Sequence, residues 1–423
     1  RRLTDRDRDG YSGRFGGGDC RDDDPTINPG ADDLPNNGLD EDCSGSDALP
    51  RRFDDVPSQD PAALLEAARR RLPRRPNLVL LTIDTLRDDL GYSGYPRKIT
   101  PNLDRLAARG IAFRKAYATA SYTGKSVGPL LIGRYSSETD RGWSHFNRYR
   151  TDRLISERFQ AAGFQTVSVQ GYWYFFDPNV GLTRGFDIVD SSAAPRLALV
   201  EGDRSTTAEG VATATVARLE ALQQSDKPFF LWAHFTDPHV EYVAHEGFSF
   251  GQDPRGMYDG EVAFTDHQVG RILDKLESSS LAANTIVMVT SDHGEAFGEH
   301  GMIRHGFELW EPLVRVPWLV YVPGLPAGTV EVRRSQVDLV PTALDLLGVA
   351  GDAALSGHSR LLDLVKPEGY QPGEVPVFID MSAGPNNADR QALIVRDLKV
   401  IASAGRPLGV YDLATDPGET TDL

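Results

Sequence analysis

The chain has 423 residues, of which 40% are hydrophobic, and a formal net charge of −16 at pH 7. Its length and apolar content predict a globular protein with a large core. Its acidity argues against nucleic acid as a partner, because phosphates are neutralised by a basic face. No apolar run approaches the roughly 18 residues of a membrane span, so we expect no span in this chain.

The N-terminal segment is rich in Asp, Gly, Asn and Pro and cannot build an apolar core. Its opening, DRDRDG, places Asp5, Asp7 and Asp9 at alternate positions before a glycine, as in the first half of a calcium loop. Further carboxylates follow at Asp19 and Asp22. We expect Ca²⁺ to be held among these five residues. The alternative is a disordered acidic tail.

Both cysteines of the chain, Cys20 and Cys43, lie in this acidic segment. We predict that they form a disulfide, which would place the protein in an oxidising, extracytoplasmic compartment: the periplasm, the cell surface or the medium. The segment also resembles the Asp-rich metal-binding repeat of extracellular bacterial proteins.

Three later apolar runs each end in an acidic residue: NLVLLTID at Asp84, PFFLWAHFTD at Asp237 and TIVMVTSD at Asp292. Such continuous runs are typical of strands that are buried on both faces of a parallel or mixed sheet. Helical patterns separate them, for example EVAFTDHQVGRILDKLE. Strands that alternate with helices indicate an α/β fold.

The carboxyl ends of such strands form one rim of the sheet, where ligands bind, so the three aspartates should reach the same rim. His293 directly follows Asp292, and His305 lies farther along the same segment. Oxygen and imidazole ligands together suit Zn²⁺ or Mn²⁺ better than a calcium cage of oxygens alone. The alternative is that Asp-His-Gly is only a turn with a capping Asp.

The stretch SYTGKSVG contains Gly124-Lys125-Ser126, which matches the tail of a nucleotide-binding P-loop. The loop's first glycine has to wrap the phosphates with bare backbone, and Thr119 occupies that position. The sequence therefore does not predict a P-loop here.

Several segments, taken together and in this order, resemble the sulfatase family of the alkaline phosphatase superfamily. They are PNLVLLTIDTLRDDLGYSGYPRKITPNLDRLAARGIAFRKAYA, HFTDPH, YDGEVAFTDHQVGRILDKL, TSDHGEAFGEHG, RVPWLVYVPG, LIVRDLKVI and VYDLATDPGETTDL. The resemblance covers about residues 76–423. It implies a mixed β-sheet sandwiched between helices, with a small C-terminal antiparallel-sheet subdomain.

The resemblance also implies roles for individual residues. Asp84, Asp292 and His293 match the superfamily's metal ligands, and Thr123 matches its metal-held nucleophile. Lys125 would pair with a substrate oxygen. Gly128-Pro129 is expected to interrupt the helix that begins near Ser126.

A second cation is implied less directly. Asp237, His239 and His305 lie near the positions at which two-metal members of the superfamily place their other ligands. In an alternative role, His239 would contact the substrate anion or protonate the leaving group. His234, just inside the end of its strand, fits a core residue as well as a ligand.

The departures from the family pattern point to phosphorus. Sulfatases convert a Cys or Ser at the position of Thr123 to formylglycine, and threonine is not a substrate for that conversion. Thr85 replaces the second Asp of calcium-binding sulfatases, which favours a transition metal. We therefore predict a hydrolase or transferase with a catalytic divalent cation (Zn, Mn or Ca) that acts on anionic phosphate esters, or sulfate esters, through Thr123. The alternative is an inactive, calcium-binding surface protein.

The predicted organisation has four parts. They are an Asp-rich calcium-binding module at 1–47, a linker at 48–75, a sulfatase-like catalytic domain at 76–365 and a C-terminal subdomain packed on it at 366–423. The linker carries one helical pattern, with an apolar stripe at Leu64, Leu65, Ala68 and Leu72.

Overall fold

The structure, a computed structural model, describes residues 4–14, 17–31, 38–46, 61–139, 148–194, 207–239, 241–368, 370–384 and 387–423. The chain divides into two compact units, residues 1–56 and 57–423. The predicted boundary between the acidic module and the linker, at residue 47, lies outside the described residues.

The described residues of the N-terminal unit form turns and bends, and none of them lies in a helix or strand. Cys20 and Cys43 form a disulfide with their Cα atoms 5.5 Å apart, which confirms the predicted pairing. Ile27 is the only hydrophobic side chain that is buried in the described part of this unit. Its fold therefore depends on the disulfide, turns and polar contacts.

The larger unit contains fourteen strands among the residues that the structure describes. They are β1 (Asn77–Ile83), β2 (Ile111–Tyr117), β3 (Gln165–Gln170), β4 (Ile188–Asp190), β5 (Phe229–Phe235), β6 (Thr285–Ser291), β7 (Ala296–Phe297), β8 (Ile303–Arg304), β9 (Arg315–Tyr321), β10 (Gly328–Ser335), β11 (Val377–Met381), β12 (Arg390–Val395), β13 (Leu398–Ser403) and β14 (Arg406–Asp412).

Eight of these strands form one large sheet in the order β10-β2-β9-β6-β1-β5-β3-β4. β9 runs antiparallel to β2 and β6, and the other neighbouring pairs are parallel, so the sheet is mixed as predicted. β11 to β14 form the predicted small antiparallel sheet near the C-terminus. β7 and β8 form a two-stranded ribbon.

The α-helices among the described residues are α1 (Pro61–Arg69), α2 (Pro101–Arg109), α3 (Thr123–Ile132), α4 (Ile155–Ala161), α5 (Trp173–Phe176), α6 (Ala208–Leu222), α7 (Pro254–Glu277), α8 (Glu311–Val314), α9 (Leu339–Leu346) and α10 (Leu361–Val365). No helix in the described ranges is both long and apolar enough to cross a membrane.

Helices cover both faces of the large sheet. Leu78 and Leu80 of β1 pack in a core cluster with residues of α3, α4 and α9. Val79 and Leu81 point the other way, because side chains alternate along a strand, and they pack in a second cluster with α2, α6 and α7. The predicted α/β sandwich is therefore confirmed. The apolar run NLVLLTI is continuous because both of its faces are buried.

The central strands end in register at one edge of the sheet. Ile83, the last residue of β1, pairs with Phe235 of β5 and with Ser291 of β6. Asp84 and Asp292 directly follow these strands and therefore leave the sheet at the same edge. This confirms that the two strands are neighbours.

α3 differs from its prediction. It begins at Thr123 rather than near Ser126, and it continues through Pro129 to Ile132. A Cβ on Gly128 would lie 1.9 Å from the ring carbon Cζ of Tyr149, so only glycine lets that ring pack against the helix. Gly128 thus permits close packing, and the Gly-Pro pair does not end the helix.

The helix of the predicted linker packs on the larger unit. Leu64 and Ala68 of α1 are buried, and the Arg69 guanidinium forms an ion pair with Asp345 at 2.8 Å. The predicted apolar stripe is therefore the side of α1 that contacts the core.

Candidate metal and nucleophile centre

Asp84 provides two carboxylate oxygens at the end of β1, and they face different neighbours. Its Oδ1 lies 3.6 Å from His293 Nε2 and 3.5 Å from Thr123 Oγ1. Its Oδ2 lies 3.8 Å from His234 Nε2. The side chain is 4% exposed, so both oxygens are withdrawn from water. One carboxylate thus connects three other polar side chains.

His293 presents a lone pair to this cluster. Its Nδ1 lies 2.9 Å from the Gly294 carbonyl oxygen, which can only accept, so Nδ1 carries the proton and donates it. Nε2 is then unprotonated and faces Asp84 and Asp292, the latter at 3.5 Å from its Oδ2. Burial lowers the pKa of His293 and favours this neutral form. The ring has the protonation state of a metal ligand.

Asp292 contributes a buried oxygen without a partner. Its Oδ1 accepts from the backbone N–H groups of Thr85 and His293, at 3.3 and 2.9 Å. Its Oδ2 has no hydrogen-bond partner, although the residue is completely buried. Burial raises the pKa of Asp292, and the negative charge of Asp84 raises it further. Such an oxygen is costly to bury unless a cation or proton meets it.

Ligand atoms of Asp84, Asp292 and His293 all lie within 4.8 Å of one another. Two carboxylates, one of which has an orphaned oxygen, and one imidazole lone pair fit a divalent cation. Thr85 has a φ of 55°, an uncommon value for a β-branched residue, and this conformation directs its N–H to Asp292. Local backbone strain thus accompanies the arrangement of the carboxylates.

Thr123 lies at the first position of α3 and reaches the same cluster. Its Oγ1 is 3.0 Å from His293 Nε2, and because that nitrogen has a lone pair the hydroxyl donates to it. The residue as a whole is buried, with 7% of its surface exposed. The structure therefore brings the predicted nucleophile together with the three predicted ligands.

Lys125 is directed to the C-terminal subdomain. It is buried, and its Nζ donates to the Ser382 carbonyl oxygen and to Asn387 Oδ1, both at 2.5 Å. Both acceptors lie in the segment after β11. The structure thus gives this ammonium protein partners that the sequence pattern did not indicate.

Three imidazoles form a row that begins at the cluster. The ring centroid of His305 lies 4.3 Å from that of His293 and 5.0 Å from that of His239. Burial and the neighbouring His239 lower the pKa of His305 well below its ordinary value. The predicted pair His239 and His305 is therefore adjacent to the candidate centre.

Sequence reasoning missed the residue that orients His305. Glu295 is completely buried, and its Oε1 lies 3.1 Å from His305 Nδ1, which donates to it. Its Oε2 accepts from the Tyr242 hydroxyl at 3.0 Å. A carboxylate directly after Asp-His-Gly was the available signal. Because Nδ1 of His305 is bonded to Glu295, the other ring nitrogen, Nε2, is left to face the neighbouring side chains.

His234 is completely buried at the penultimate position of β5. Trp232 Nε1 donates to Thr82 Oγ1 at 2.9 Å, and Thr82 Oγ1 lies 2.7 Å from His234 Nδ1. Nε2 has no hydrogen-bond partner and faces Asp84 Oδ2. Of the two open interpretations, core residue or ligand, the structure supports a buried residue whose free nitrogen borders the centre.

Asp237 turns away from the set in which it was predicted. Its Oδ2 accepts from the backbone N–H groups of Thr207 and Ala208, at 2.9 and 3.0 Å, at the start of α6. In the described chain, Asp237, His239 and His305 do not form a group of three ligand atoms within 4.8 Å of one another. The helix N-terminus attracts the carboxylate because its N–H groups lack acceptors.

The five predicted aspartates of the N-terminal unit form two overlapping groups. Asp5, Asp7 and Asp9 place ligand atoms within 4.8 Å of one another, and so do Asp7, Asp19 and Asp22. One oxygen each of Asp7, Asp9 and Asp19 is buried without a hydrogen-bond partner. Loss of solvent and neighbouring carboxylates raise the pKa of Asp7 and of Asp19. These orphaned oxygens fit Ca²⁺, which prefers oxygen ligands.

Known proteins resemble this chain in sequence and in fold. A protein named Sulfatase from Formosa agariphila is 25% identical, and the match covers 82% of each chain. The N-acetylgalactosamine-6-sulfatase of Canis lupus familiaris is 29% identical over 72% of this chain and 68% of its own. The phosphonate monoester hydrolase of Agrobacterium radiobacter has a similar fold, with a TM-score of 0.67, 21% identity and coverage of 82% of this chain and 91% of that chain. The family model described as Sulfatase matches residues 76–349, more than half of the chain, and the protein therefore belongs to the sulfatase family.

Proposed function

We propose that this member of the sulfatase family is a metal-dependent phosphoester hydrolase or phosphotransferase that uses Thr123 as its nucleophile. One observation carries the proposal. The Thr123 hydroxyl lies 3.0 Å from His293 Nε2 and 3.5 Å from Asp84 Oδ1, inside the group of candidate metal ligands. If Thr123 only capped α3, its hydroxyl would not need to lie among the candidate metal ligands.

Asp84, Asp292 and His293 are the residues that would hold the cation. A bound divalent cation would lower the pKa of a hydroxyl and neutralise charge on the substrate anion. The imidazole favours Zn²⁺ or Mn²⁺ over Ca²⁺.

The rest of the chemistry belongs to the chain's own residues. Thr123 loses its hydroxyl proton to solvent and Oγ1 attacks phosphorus, so that a new Oγ1–P bond forms and the bond between phosphorus and the alcohol oxygen breaks. The N-terminus of α3 offers backbone N–H groups to the phosphoryl oxygens. His239 protonates the departing alcohol oxygen. Water or a second alcohol then takes the phosphoryl group from Thr123, which gives hydrolysis or transfer.

The choice of phosphorus over sulfur rests on the same residue. Release of sulfate from a hydrated aldehyde proceeds by elimination, which an ordinary threonine ester cannot do. A phosphothreonine can be released by attack of water at phosphorus. The relatives above are named for sulfate esters, and the solved neighbour is named for phosphonate monoesters. Thr123 is the observation that supports phosphorus chemistry for this chain.

A substrate panel tests the proposal. Aryl sulfate, a phosphate monoester, a phosphate diester and a phosphonate ester are each assayed with Zn²⁺, Mn²⁺ and Ca²⁺. We expect a phosphorus ester to be the best substrate and Thr123→Ala to lower its turnover by at least ~10³-fold. Thr123→Ser is the matched control, because it keeps the hydroxyl and should retain activity. Circular dichroism confirms that both variants are folded.

Two results would contradict the proposal. Aryl sulfate could be cleaved faster than every phosphorus ester, or Thr123→Ala could keep wild-type turnover on the best substrate. The first would reject the substrate class, and the second would reject the nucleophile.

A further inference from the structure

Three titratable side chains converge outside the centre described above. Ligand atoms of Asp237, His245 and Glu261 lie within 4.8 Å of one another. They come from different elements: the end of β5, the connection that follows it, and α7. Asp237 is 4% exposed and Glu261 is 2% exposed, so two carboxylates share a buried space with one imidazole.

Two atoms of this cluster are available to a ligand. Oδ2 of Asp237 is occupied by the N-terminus of α6, whereas Oδ1 is buried and has no hydrogen-bond partner. His245 Nε2 is also buried without a hydrogen-bond partner, and it lies 3.5 Å from Glu261 Oε1. The His245 ring is held in place by stacking on Phe264, with ring centroids 3.8 Å apart.

The third member is fixed by the backbone. Glu261 Oε1 accepts from the Val243 N–H at 2.6 Å, which holds the carboxylate toward the connection between β5 and α7. Among the ion pairs of the described residues, none joins Asp237 or Glu261 to a lysine or arginine. The negative charge of this cluster is therefore not balanced by a basic side chain in an ion pair.

The energetic argument favours a cation. An unpartnered carboxylate oxygen in a buried site is costly, and a second carboxylate nearby adds repulsion. Burial, followed by the charge of Glu261, raises the pKa of Asp237 to about 6. A divalent cation would meet the orphaned oxygen, the orphaned nitrogen and the excess charge at once. Mixed oxygen and imidazole donors suit Zn²⁺ or Mn²⁺.

We infer that Asp237, His245 and Glu261 form a second cation site that joins the end of β5 to α7. The site does not depend on Thr123 being a nucleophile. His239 lies two residues after Asp237 in the same connection, so the cation would hold that imidazole beside His305. Its role is therefore to position His239, and it is not a catalytic metal.

The direct test is anomalous diffraction from crystals of the full chain soaked separately with Zn²⁺ and Mn²⁺. We expect a peak at about 2.0–2.3 Å from Asp237 Oδ1, His245 Nε2 and a Glu261 oxygen. This peak is counted separately from any peak at Asp84, Asp292 and His293. No peak at this cluster, whatever the other centre holds, overturns the inference.

Metal content of variants provides a second measurement in solution. Glu261→Gln and His245→Ala should each lose one equivalent of bound Zn²⁺ relative to wild type. His267→Ala, at an exposed position on α7, is the matched control and should keep it. Hydrogen exchange of residues 241–250 should become faster in Glu261→Gln. Unchanged metal content in both cluster variants overturns the inference.

Discussion

Each of the two units of the protein contains clustered carboxylates, but different forces keep the carboxylates of each cluster close to one another. In residues 57–423, apolar strands with covered faces bring Asp84 and Asp292 to one buried edge. In the N-terminal unit, turns and the Cys20–Cys43 disulfide bring Asp7 close to other carboxylates, around a single described buried hydrophobic residue. A large core can hold like charges against their repulsion. For a unit without such a core, we expect a bound cation to be needed.

The largest expected effect is the response of the N-terminal unit to chelation. Excess EDTA should raise the rate of proteolytic cleavage between residues 4 and 46 by at least ~100-fold, since we expect bound Ca²⁺ to add most of the stability beyond that of the disulfide and turns. Cleavage within residues 61–423 should change far less, because an apolar core stabilises that unit without a cation. Limited proteolysis with mass spectrometry measures both rates in one sample.

A variant pair sharpens this test. Asp7 belongs to both carboxylate groups, so Asp7→Asn should reproduce the effect of EDTA. Asp24 binds Thr26 and belongs to neither group, so Asp24→Asn should not. Unchanged protease resistance of the N-terminal unit in EDTA would show that the comparison is wrong.

A smaller effect, on the free energy of unfolding, is expected when either of two buried aspartates of the larger unit is replaced by Asn. Asp363 forms a buried pair with Arg334, whose Nε lies 2.6 Å from its Oδ2, whereas Asp292 has an orphaned oxygen. Asp363→Asn should lower the free energy of unfolding by roughly 3 kcal/mol, because it leaves a buried guanidinium without its charge partner. In chelator, Asp292→Asn should be neutral or stabilising, because repulsion from Asp84 is removed.

Urea unfolding with and without added Zn²⁺ checks this pair. Zn²⁺ should stabilise the wild-type protein more than it stabilises Asp292→Asn. Asp292→Asn in chelator could instead be as destabilising as Asp363→Asn. In that case the core does not hold Asp84 and Asp292 together against their repulsion, as was inferred above.

The smallest effect concerns a buried carboxylate that a proton, rather than a cation, can neutralise. Asp266 of α7 accepts from the backbone N–H groups of Asn102 and Leu103 at the start of α2. Burial raises its pKa from 3.8 to about 6, and these hydrogen bonds oppose the rise. The folded protein thus keeps a proton that the unfolded chain has already lost between these two pH values.

The free energy of unfolding should therefore fall as the pH rises from 3.8 to about 6, with a slope from this group of at most roughly 1.4 kcal/mol per pH unit. Asp266→Asn has no such proton and should flatten this slope. Asp274→Asn, at an exposed position on the same helix, should leave it as in wild type. Thermal melts across this pH range in chelator make the measurement. Equal slopes in Asp266→Asn and wild type would contradict the expectation.

Much of the fold could be predicted from local sequence. The runs that end at Asp84 and Asp292 are long, apolar and bounded by acidic residues, so they indicated buried strands, and the structure pairs them in parallel. The nearness of Thr123 to both the Asp84 carboxylate and His293 followed from the family resemblance. Metal binding and nucleophilic attack by these residues stay predictions.

Contacts between segments that are distant in sequence explain what local sequence could not show. Asp237 follows the same kind of apolar run as Asp84, but the start of α6 lies close enough to bind its carboxylate. Glu295 reaches both His305 and Tyr242, which are separated from it by 10 and 53 positions without any periodic pattern. Such partners depend on how loops cross the end of the sheet.

The placement of β1 between β5 and β6 has a consequence for the order in which the protein can mature during synthesis. The disulfide of the N-terminal unit joins residues only 23 positions apart, so this unit can close without contacts from the rest of the chain. The hydrogen bond from the Thr85 N–H to Asp292 Oδ1 spans 207 positions. Contacts of such long range form late, because a large loop must close first. The group of Asp84, Asp292 and His293 therefore cannot be complete in a growing chain until β6 and the residues that follow it have been synthesised.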